Sequence, residues 1–193
     1  MAPRTIQRPR LGVLLSGSGR TLQNLLDRIG DGRLRASIAG VGSDRADAFG
    51  LQRAMDHGLE ARHLKDASAT WSWLSEIDVD LVVLAGYLKL LPIEPEWVGR
   101  VLNIHPSLLP KFGGKGMHGD RVHTAVLAAK EKESGCTVHL CNDKYDEGRV
   151  LLQARVPVLA NDTATALAAR VFAAECDAYP AGIAMRWQEL SLS

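Results

Sequence analysis

The sequence predicts a three-layer α/β fold, in which helices cover a mostly parallel, Rossmann-like sheet with antiparallel additions near the C-terminus. Three observations support this prediction. Short apolar runs alternate with stretches of helical periodicity along most of the chain, which is typical of a parallel sheet. The run at 81–85 is apolar without alternation, as in a buried central strand. Two strand-like runs, at 137–141 and 150–157, are joined by a loop alone, which indicates an antiparallel pair.

The chain opens with a predicted strand, a glycine turn and a helix. The apolar run at 11–15 ends in Ser16-Gly17-Ser18-Gly19, and apolar residues recur at helical spacing over 21–29. The other predicted strands are short and rich in apolar residues: 36–41, 60–64, 81–85, 101–105, 137–141 and 150–157. The other predicted helices are 47–58, 71–77, 92–98, 123–133, 162–179 and 181–190. The glycine-rich stretch at 111–119 is predicted to be a loop.

Length and composition are those of one globular domain. The 193 residues are 46% hydrophobic and 23% charged, which allows a substantial core. We expect a single domain at 11–193 after a disordered basic leader at 1–10, which carries Arg4, Arg8 and Arg10. No internal repeat and no linker divides this domain.

Charge and cysteine content limit the partners. The net charge of +1, from 23 basic and 22 acidic residues, gives no basic excess for nucleic acid. No stretch approaches the length of a membrane span, and the run at 11–15 is too short for a signal-peptide core. Cys136, Cys141 and Cys176 form no CxxC pair, which argues against a zinc site or a disulfide framework. We expect a cytoplasmic protein that binds small molecules but neither nucleic acid nor membrane, and its oligomeric state, monomer or weak homodimer, stays open.

One octapeptide concentrates polar groups at the end of a predicted strand: Asn103-Ile104-His105-Pro106-Ser107-Leu108-Leu109-Pro110. Asn103 and His105 are two residues apart, so their side chains point to one face of the strand, at the edge where open α/β sheets place their active sites. A later loop, Tyr145-Asp146-Glu147-Gly148, adds a carboxylate. An amide, an imidazole and a carboxylate can together polarise a carbonyl group and move a proton. The alternative is a buried polar trio that only satisfies a loop.

The turn Ser16-Gly17-Ser18-Gly19-Arg20-Thr21 is a candidate anion site. Free backbone N–H groups at the positive end of a helix suit a phosphate. The turn lacks two common nucleotide signatures, because Leu22 replaces the third glycine of G-x-G-x-x-G and no Gly-Lys-Ser follows. On the residues alone, a tight strand-to-helix turn without a ligand is an equal alternative.

The string NIHPSLLPKF, at 103–112, resembles the signature of the folate-dependent formyltransferases that act on glycinamide ribonucleotide. The resemblance covers nearly the whole chain. It implies transfer of the formyl group of 10-formyltetrahydrofolate, a co-substrate, to the amine of N1-(5-phospho-D-ribosyl)glycinamide in de novo purine (IMP) biosynthesis, without a metal. It further implies that Asn103 donates to the formyl oxygen, that protonated His105 donates to the developing oxyanion, and that Asp146 keeps the imidazole charged and oriented.

The same resemblance assigns binding residues. Those for the ribonucleotide are Ser18, Gly19, Arg20, Thr21 and Glu175. Those for the folate are Lys89, Leu90, Leu91, Asn103, Asn142, Asp143, Lys144, Tyr145 and Asp146. His123 and His139 are assigned supporting positions without chemistry of their own. Because His118 and His123 are five residues apart, off the i, i+4 spacing of a helical metal pair, no metal site is expected.

Three alternatives remain at this point. Methionyl-tRNA formyltransferase shares the Asn-x-His core but would need a C-terminal RNA-binding domain and a basic surface. Formyltetrahydrofolate hydrolase would need an N-terminal regulatory domain, whereas ten residues precede the first predicted strand at 11–15. A non-catalytic nucleotide-binding module built on the turn at 17–21 would have no need for Asn103, His105 or Asp146.

Overall fold

The structure, a computed structural model, describes residues 8–192 of the chain. Most of the predicted leader at 1–10 lies outside the described residues, and its last residue, Arg10, already belongs to the first strand. Among residues 8–192, no helix combines the length and the apolar character that crossing a membrane requires.

The described residues divide into two compact units. One unit comprises the residues up to Lys89 together with those from Ile183 onward, and the other comprises Leu90–Gly182. The single domain at 11–193 stays a prediction.

The first unit alternates strands and helices, as the sequence predicted. Its elements are β1 Arg10–Leu15, α1 Arg20–Gly30, β2 Ser37–Ser43, α2 Phe49–Asp56, β3 Ala61–His63, α3 Ala67–Glu76 and β4 Leu81–Leu84. The strands lie in the order β3-β2-β1-β4, and each neighbouring pair is parallel. This is the order of the first half of a Rossmann sheet. Every residue of β4 is buried, in keeping with its unbroken apolar sequence.

The second unit carries the antiparallel strands. Its elements are a 3₁₀ helix at Pro95–Trp97, β5 Val101–His105, α4 Asp120–Ala128, β6 Glu133–Leu140 and β7 Val150–Pro157. β6 pairs in antiparallel fashion with both β5 and β7. The predicted fold class, an α/β fold with a Rossmann-like parallel sheet and antiparallel C-terminal strands, is confirmed.

The last helix, α5 Ala164–Leu192, is continuous, so the prediction of two separate helices that meet at residue 180 is wrong. Pro180 lies inside this helix, although an interior proline removes a backbone hydrogen bond and costs about 3 kcal/mol. The preceding residue, Tyr179, is fully buried and donates from its hydroxyl group to Leu102 O at 3.0 Å. We infer that this packing offsets the lost bond and lets the helix continue.

The helix predicted at 123–133 begins and ends earlier, because α4 spans Asp120–Ala128. Lys130 has a left-handed backbone conformation (φ 53°), which is typical of the end of a helix. β6 starts earlier than predicted, at Glu133, and pairs with β7 from Glu133 to His139. The loop predicted at 111–119 is confirmed, since it contains neither helix nor strand.

Candidate active site

Three side chains of the predicted site meet in the second unit, at the end of β5. Asn103 and His105 share one face of that strand, as their spacing predicted. Asp146 comes from the loop between β6 and β7, where its backbone is left-handed (φ 58°). Its Oδ1 accepts from Asn103 Nδ2 at 3.4 Å, and its Oδ2 lies 3.4 Å from His105 Nδ1. The structure therefore brings together an amide, an imidazole and a carboxylate.

Asp146 is also held by the glycine-rich loop. Gly114 N donates to Asp146 Oδ2 at 2.9 Å, and 11% of the Asp146 side chain is exposed. Burial pushes the pKa of Asp146 upward, but the nearby His139 and His105 rings and the Gly114 amide outweigh burial and hold this pKa below its ordinary value. The side chain is therefore a carboxylate at neutral pH and acts as a hydrogen-bond acceptor.

The ring of His105 is buried, with 3% of the residue exposed. Its Nε2 lies 2.8 Å from Phe112 O, and because a carbonyl oxygen only accepts, Nε2 carries a hydrogen. Burial lowers the pKa of His105, and the attraction of Asp146 acts in the opposite direction without offsetting it. Asp146 therefore raises this pKa as expected, but burial has the larger effect and the pKa lies below its ordinary value.

Hydrogen bonds around Thr137 fix the loop that follows β5. Thr137 lies opposite His105 in the β5–β6 pair. Its hydroxyl group donates to Ser107 O at 2.7 Å and accepts from Leu109 N at 3.0 Å. Gln153 of β7 donates from Nε2 to Leu109 O at 3.0 Å and to Thr137 Oγ1 at 2.9 Å. The loop is thus tied to both antiparallel strands.

A fourth side chain, His139 of β6, lies directly across from Asn103. His139 is 2% exposed. Its Nε2 is 3.1 Å from Asn103 Nδ2 and 3.5 Å from Asp146 Oδ1, and its Nδ1 is 3.0 Å from Leu140 O. The resemblance gave His139 only a supporting position. Its contact with Asn103 was not predicted, because the register of an antiparallel pair cannot be read from residue spacing.

Part of the predicted folate-binding set also comes together in the second unit. Tyr145 Oη accepts a hydrogen bond from Leu90 N at 3.0 Å. Asp143 Oδ1 accepts from Ile93 N at 3.2 Å. The loop at 142–146 therefore lies against the segment that begins at Leu90.

The other residues assigned to the folate are placed as follows. Lys89, in the first unit, has its Nζ 3.7 Å from Asp44 Oδ2, so its charge is already paired. Leu91 is buried, with 4% exposed. Asn142 Oδ1 accepts from Lys144 N at 3.0 Å and closes a turn in the loop. A folate contact from the Lys89 side chain would have to compete with Asp44.

In the first unit, the predicted phosphate-binding turn leads into α1. Gly19 precedes this helix with a left-handed backbone (φ 72°), and the first turn has neither a side-chain cap nor an acidic residue. The N–H groups there therefore keep their positive field for an anion. A Cβ atom on Gly19 would lie 2.7 Å from Gly50 Cα, so glycine is needed. Ser18 and Arg20 are exposed, and Thr21 is half-buried.

Glu175, the predicted ligand of the substrate amine, is half-buried on α5 within the second unit. The pKa of Cys136 is raised to about 12, first by burial and then by the charge of Glu175. Glu175 therefore lies near β6, where Cys136 is located, and is not a fully solvated charge.

The histidines considered as a metal pair differ in environment. His118 is exposed in the loop, whereas His123 is buried on α4. Within the part of the chain that the structure describes, no group of three His, Cys, Asp or Glu side chains could hold a metal ion.

Comparison with known proteins identifies the family of this chain. The sequence model of the formyl transferase family matches residues 9–183, which is most of the chain. The chain belongs to the formyl transferase family.

Several relatives of this chain carry one name. The phosphoribosylglycinamide formyltransferase of Escherichia coli (strain K12) is 41% identical over 180 residues, which are 87% of this chain and 82% of the relative. The chloroplastic phosphoribosylglycinamide formyltransferase of Vigna unguiculata is 40% identical over 186 residues, or 91% of this chain. The chain spans 60% of the length of that relative and 63% of the length of its chloroplastic counterpart from Arabidopsis thaliana.

Solved structures agree with this family. Glycinamide ribonucleotide transformylase 1 from Symbiobacterium toebii is 42% identical, with a TM-score of 0.82 over 92% of this chain and 86% of that one. The phosphoribosylglycinamide formyltransferase from Brucella melitensis is 37% identical, with a TM-score of 0.83 over 96% of this chain and 97% of that one. The chain has the fold of these proteins.

The candidate site includes contacts that the sequence did not predict. Phe112 O and Gly114 N bond to His105 and Asp146, and both contacts come from the backbone. Phe112 has a left-handed conformation (φ 57°), which its side chain does not favour. The richness of the loop in glycine was the only sequence signal for such a close backbone approach.

Proposed function

We propose that the chain transfers the formyl group of 10-formyltetrahydrofolate to the amine of N1-(5-phospho-D-ribosyl)glycinamide in de novo purine (IMP) biosynthesis. The observation that carries this proposal is the contact of Asp146 with both Asn103 and His105 in a chain of the formyl transferase family. The names of the relatives favour this acceptor over other amines.

In the proposed reaction, the amine nitrogen attacks the formyl carbon and a tetrahedral intermediate with an oxyanion forms. Collapse of the intermediate breaks the bond between that carbon and N10 of the folate. The proton that the amine loses ends on N10, and one carbon–nitrogen bond replaces another. The reaction therefore balances without an oxidant or a reductant.

Asn103 and His105 are proposed to hold the oxyanion. The hydrogen bond from Asn103 Nδ2 to Asp146 is long, at 3.4 Å, so that hydrogen is available to a nearer oxyanion. His105 carries a hydrogen on Nε2 whether its ring holds one proton or two, so its donation does not need the raised pKa expected from the sequence. The substrate oxygen would replace Phe112 O as the partner of Nε2. A preorganised donor of this kind contributes about 10²- to 10³-fold to kcat.

Asp146 is proposed to move the proton. Its pKa lies below the ordinary value, so it is ionised and can accept hydrogen bonds from the attacking amine through water. When His105 Nδ1 carries a proton, the same carboxylate, 3.4 Å away, accepts from it and orients the ring. General acid–base catalysis by such a group contributes about 10²- to 10⁴-fold.

Binding of the two substrates completes the proposal. The phosphate would bind at the N-terminus of α1, through the residues at 18–21, because that first turn is uncapped and free of acidic side chains. Glu175 would attract the amine of the glycinamide group. The pterin of the folate would lie against Leu90, Leu91 and the loop at 142–146, and Lys89 would offer a cation to its acidic tail.

The test mixes the purified chain with 10-formyltetrahydrofolate and glycinamide ribonucleotide, and follows both the folate absorbance and the mass of the ribonucleotide. Turnover that requires the ribonucleotide, disappears in His105→Ala and persists in His118→Ala supports the proposal. His118 is a matched control because it is an exposed histidine outside the site. Consumption of the formylfolate without the ribonucleotide would indicate a hydrolase instead, and the absence of any turnover would overturn the proposal.

The proposal extends to location and assembly. We expect a cytoplasmic enzyme that acts on small molecules alone, as a monomer or a weak homodimer, since its net charge of +1 offers no basic surface to nucleic acid. Two plant relatives are chloroplastic, so fractionation of the source cells tests the location. Sedimentation velocity over a range of concentrations tests the assembly, and a stable larger oligomer would contradict this part.

A further inference from the structure

The relation between Asn103 and His139 follows from the register of β5 and β6. The two residues form a directly opposed pair in the antiparallel ladder, and side chains of such pairs point to the same face and touch. His139 is 2% exposed, so the protein surrounds its ring. The ring nitrogen Nε2 is 3.1 Å from Asn103 Nδ2.

The other ring nitrogen decides which tautomer His139 adopts. Nδ1 lies 3.0 Å from Leu140 O. A carbonyl oxygen has no hydrogen to give, so Nδ1 must carry the hydrogen of this bond. In a ring with one hydrogen, Nε2 then presents a lone pair.

The lone pair on His139 Nε2 fixes the orientation of the Asn103 amide. The nearest amide atom must be a donor, which means the NH₂ group and not the oxygen. Asp146 Oδ1, 3.4 Å from the same NH₂ group, is a second acceptor and favours the same orientation. The separation of 3.5 Å between His139 Nε2 and Asp146 Oδ1 is long for a hydrogen bond, so the Asn103 amide is the closer partner of Nε2.

We propose that His139 is a positioning residue for Asn103: its Nε2 lone pair keeps the NH₂ end of the amide on the side of Asp146, where the oxyanion forms. This inference rests on the proposed function. A flipped amide would turn its carbonyl oxygen, which has no hydrogen to donate, to the oxyanion, and the two oxygens would repel each other. His139 itself neither touches the reacting atoms nor carries the proton in this scheme.

The first test does not depend on activity. Long-range ¹H–¹⁵N spectra of the folded chain, with ¹⁵N-labelled histidine and His139 assigned by its loss in His139→Gln, report which ring nitrogen is protonated. We expect hydrogen on Nδ1 and a lone pair on Nε2, as the hydrogen-bond geometry requires. Hydrogen on Nε2, alone or together with Nδ1, would overturn the proposal whether or not the chain proves to be a formyl transferase of this specificity.

The second test is a double-mutant cycle in the enzymatic assay. We expect His139→Phe to lower kcat at least tenfold with little change in either KM, because donor orientation matters in the transition state more than in binding. In an Asn103→Ala background, His139→Phe should have almost no further effect, since the group that it positions is absent. If the double variant instead loses the product of the two single-variant losses in kcat, the proposal is overturned.

A conservative variant separates positioning from packing. His139→Gln offers Oε1 as an acceptor to Asn103 Nδ2 and should recover part of the activity lost in His139→Phe. If His139→Phe does not fold, the kinetics of His139→Gln and the histidine spectra still test the orienting role of His139. A kcat of His139→Gln equal to that of Asn103→Ala would contradict that role. If the wild-type chain shows no transfer to the ribonucleotide, the proposed function fails while the spectra still test the tautomer.

Discussion

Gly113 and Asp146 approach each other so closely that a Cβ atom on Gly113 would lie 3.2 Å from Asp146 Cβ. The same Cβ atom would lie 2.5 Å from Leu109 Cδ2, in the loop after β5. The absence of a side chain at position 113 therefore lets Gly114 N reach Asp146 Oδ2 at 2.9 Å. The loop backbone and the Asp146 carboxylate hold each other in place.

We expect Gly113→Ala to lower kcat by about tenfold, which corresponds to a rise of about 1.4 kcal/mol in activation free energy, because the added methyl group must displace the Leu109 side chain and crowd Asp146. Both KM values should change little. Steady-state kinetics check this, with Gly30→Ala as the matched control, since a Cβ atom there meets nothing within 4 Å. An unchanged kcat in Gly113→Ala would show that the position of the loop does not matter for the reaction.

Asp146→Asn should lower kcat by about 10²- to 10³-fold, since it removes the charge that accepts the proton and orients His105. Asparagine tolerates the left-handed conformation at this position (φ 58°), so the backbone should be retained. Glu147→Gln is the neighbouring control, because the Glu147 side chain is 60% exposed and its Oε2 lies 3.1 Å from Lys144 Nζ. A loss of less than threefold in Asp146→Asn would exclude Asp146 from the proton transfer.

The sequence alone was sufficient to predict the features that local periodicity determines. Asn103 and His105 were predicted to share a face of one strand because strand side chains alternate, and both do contact Asp146. The parallel pairing of the strands in the first unit likewise follows from its alternation of strands and helices. The resemblance supplied Asp146 as the partner, which spacing alone could not do across so many residues.

Contacts that depend on register or on backbone conformation could not be predicted. His139 faces Asn103 because of the way that β6 pairs with β5, and a shift of one residue would have turned its ring to the other face. The direction of the His105 pKa depends on burial, which outweighs the charge of Asp146. Pro180 suggested that the helix ends there, but in the structure the helix continues through this residue.

Gly19→Ala should raise the KM for the ribonucleotide at least tenfold and leave the KM for the folate nearly unchanged. The left-handed backbone (φ 72°) and the close approach to Gly50 Cα both oppose a side chain, so the turn must move and the proposed phosphate site with it. Initial rates with each substrate varied in turn measure the effect. Gly30→Ala again serves as the control, and equal increases in both KM values would indicate general damage to the fold instead of a local phosphate site.

His123 gives a prediction for stability as a function of pH. It is 4% exposed, and its Nδ1 has no hydrogen-bond partner among the described residues. Burial lowers the pKa of His123 below its ordinary value of 6.5, although the charge of Asp120 opposes this. The unfolded chain therefore binds a proton more readily than the folded chain, so the stabilisation is complete above pH 6.5 and is lost as the pH falls through the folded pKa.

The burial of His105 shifts its pKa in the same direction, so both histidines should make the protein less stable in acid. We expect the free energy of unfolding, measured in urea, to fall from pH 8 to pH 5 in the wild type. The decline should be smaller in His123→Leu, which has one proton fewer to take up on unfolding. Identical pH dependence in the two proteins would mean that His123 titrates alike in the folded and unfolded chains, and its burial would then leave its pKa unchanged.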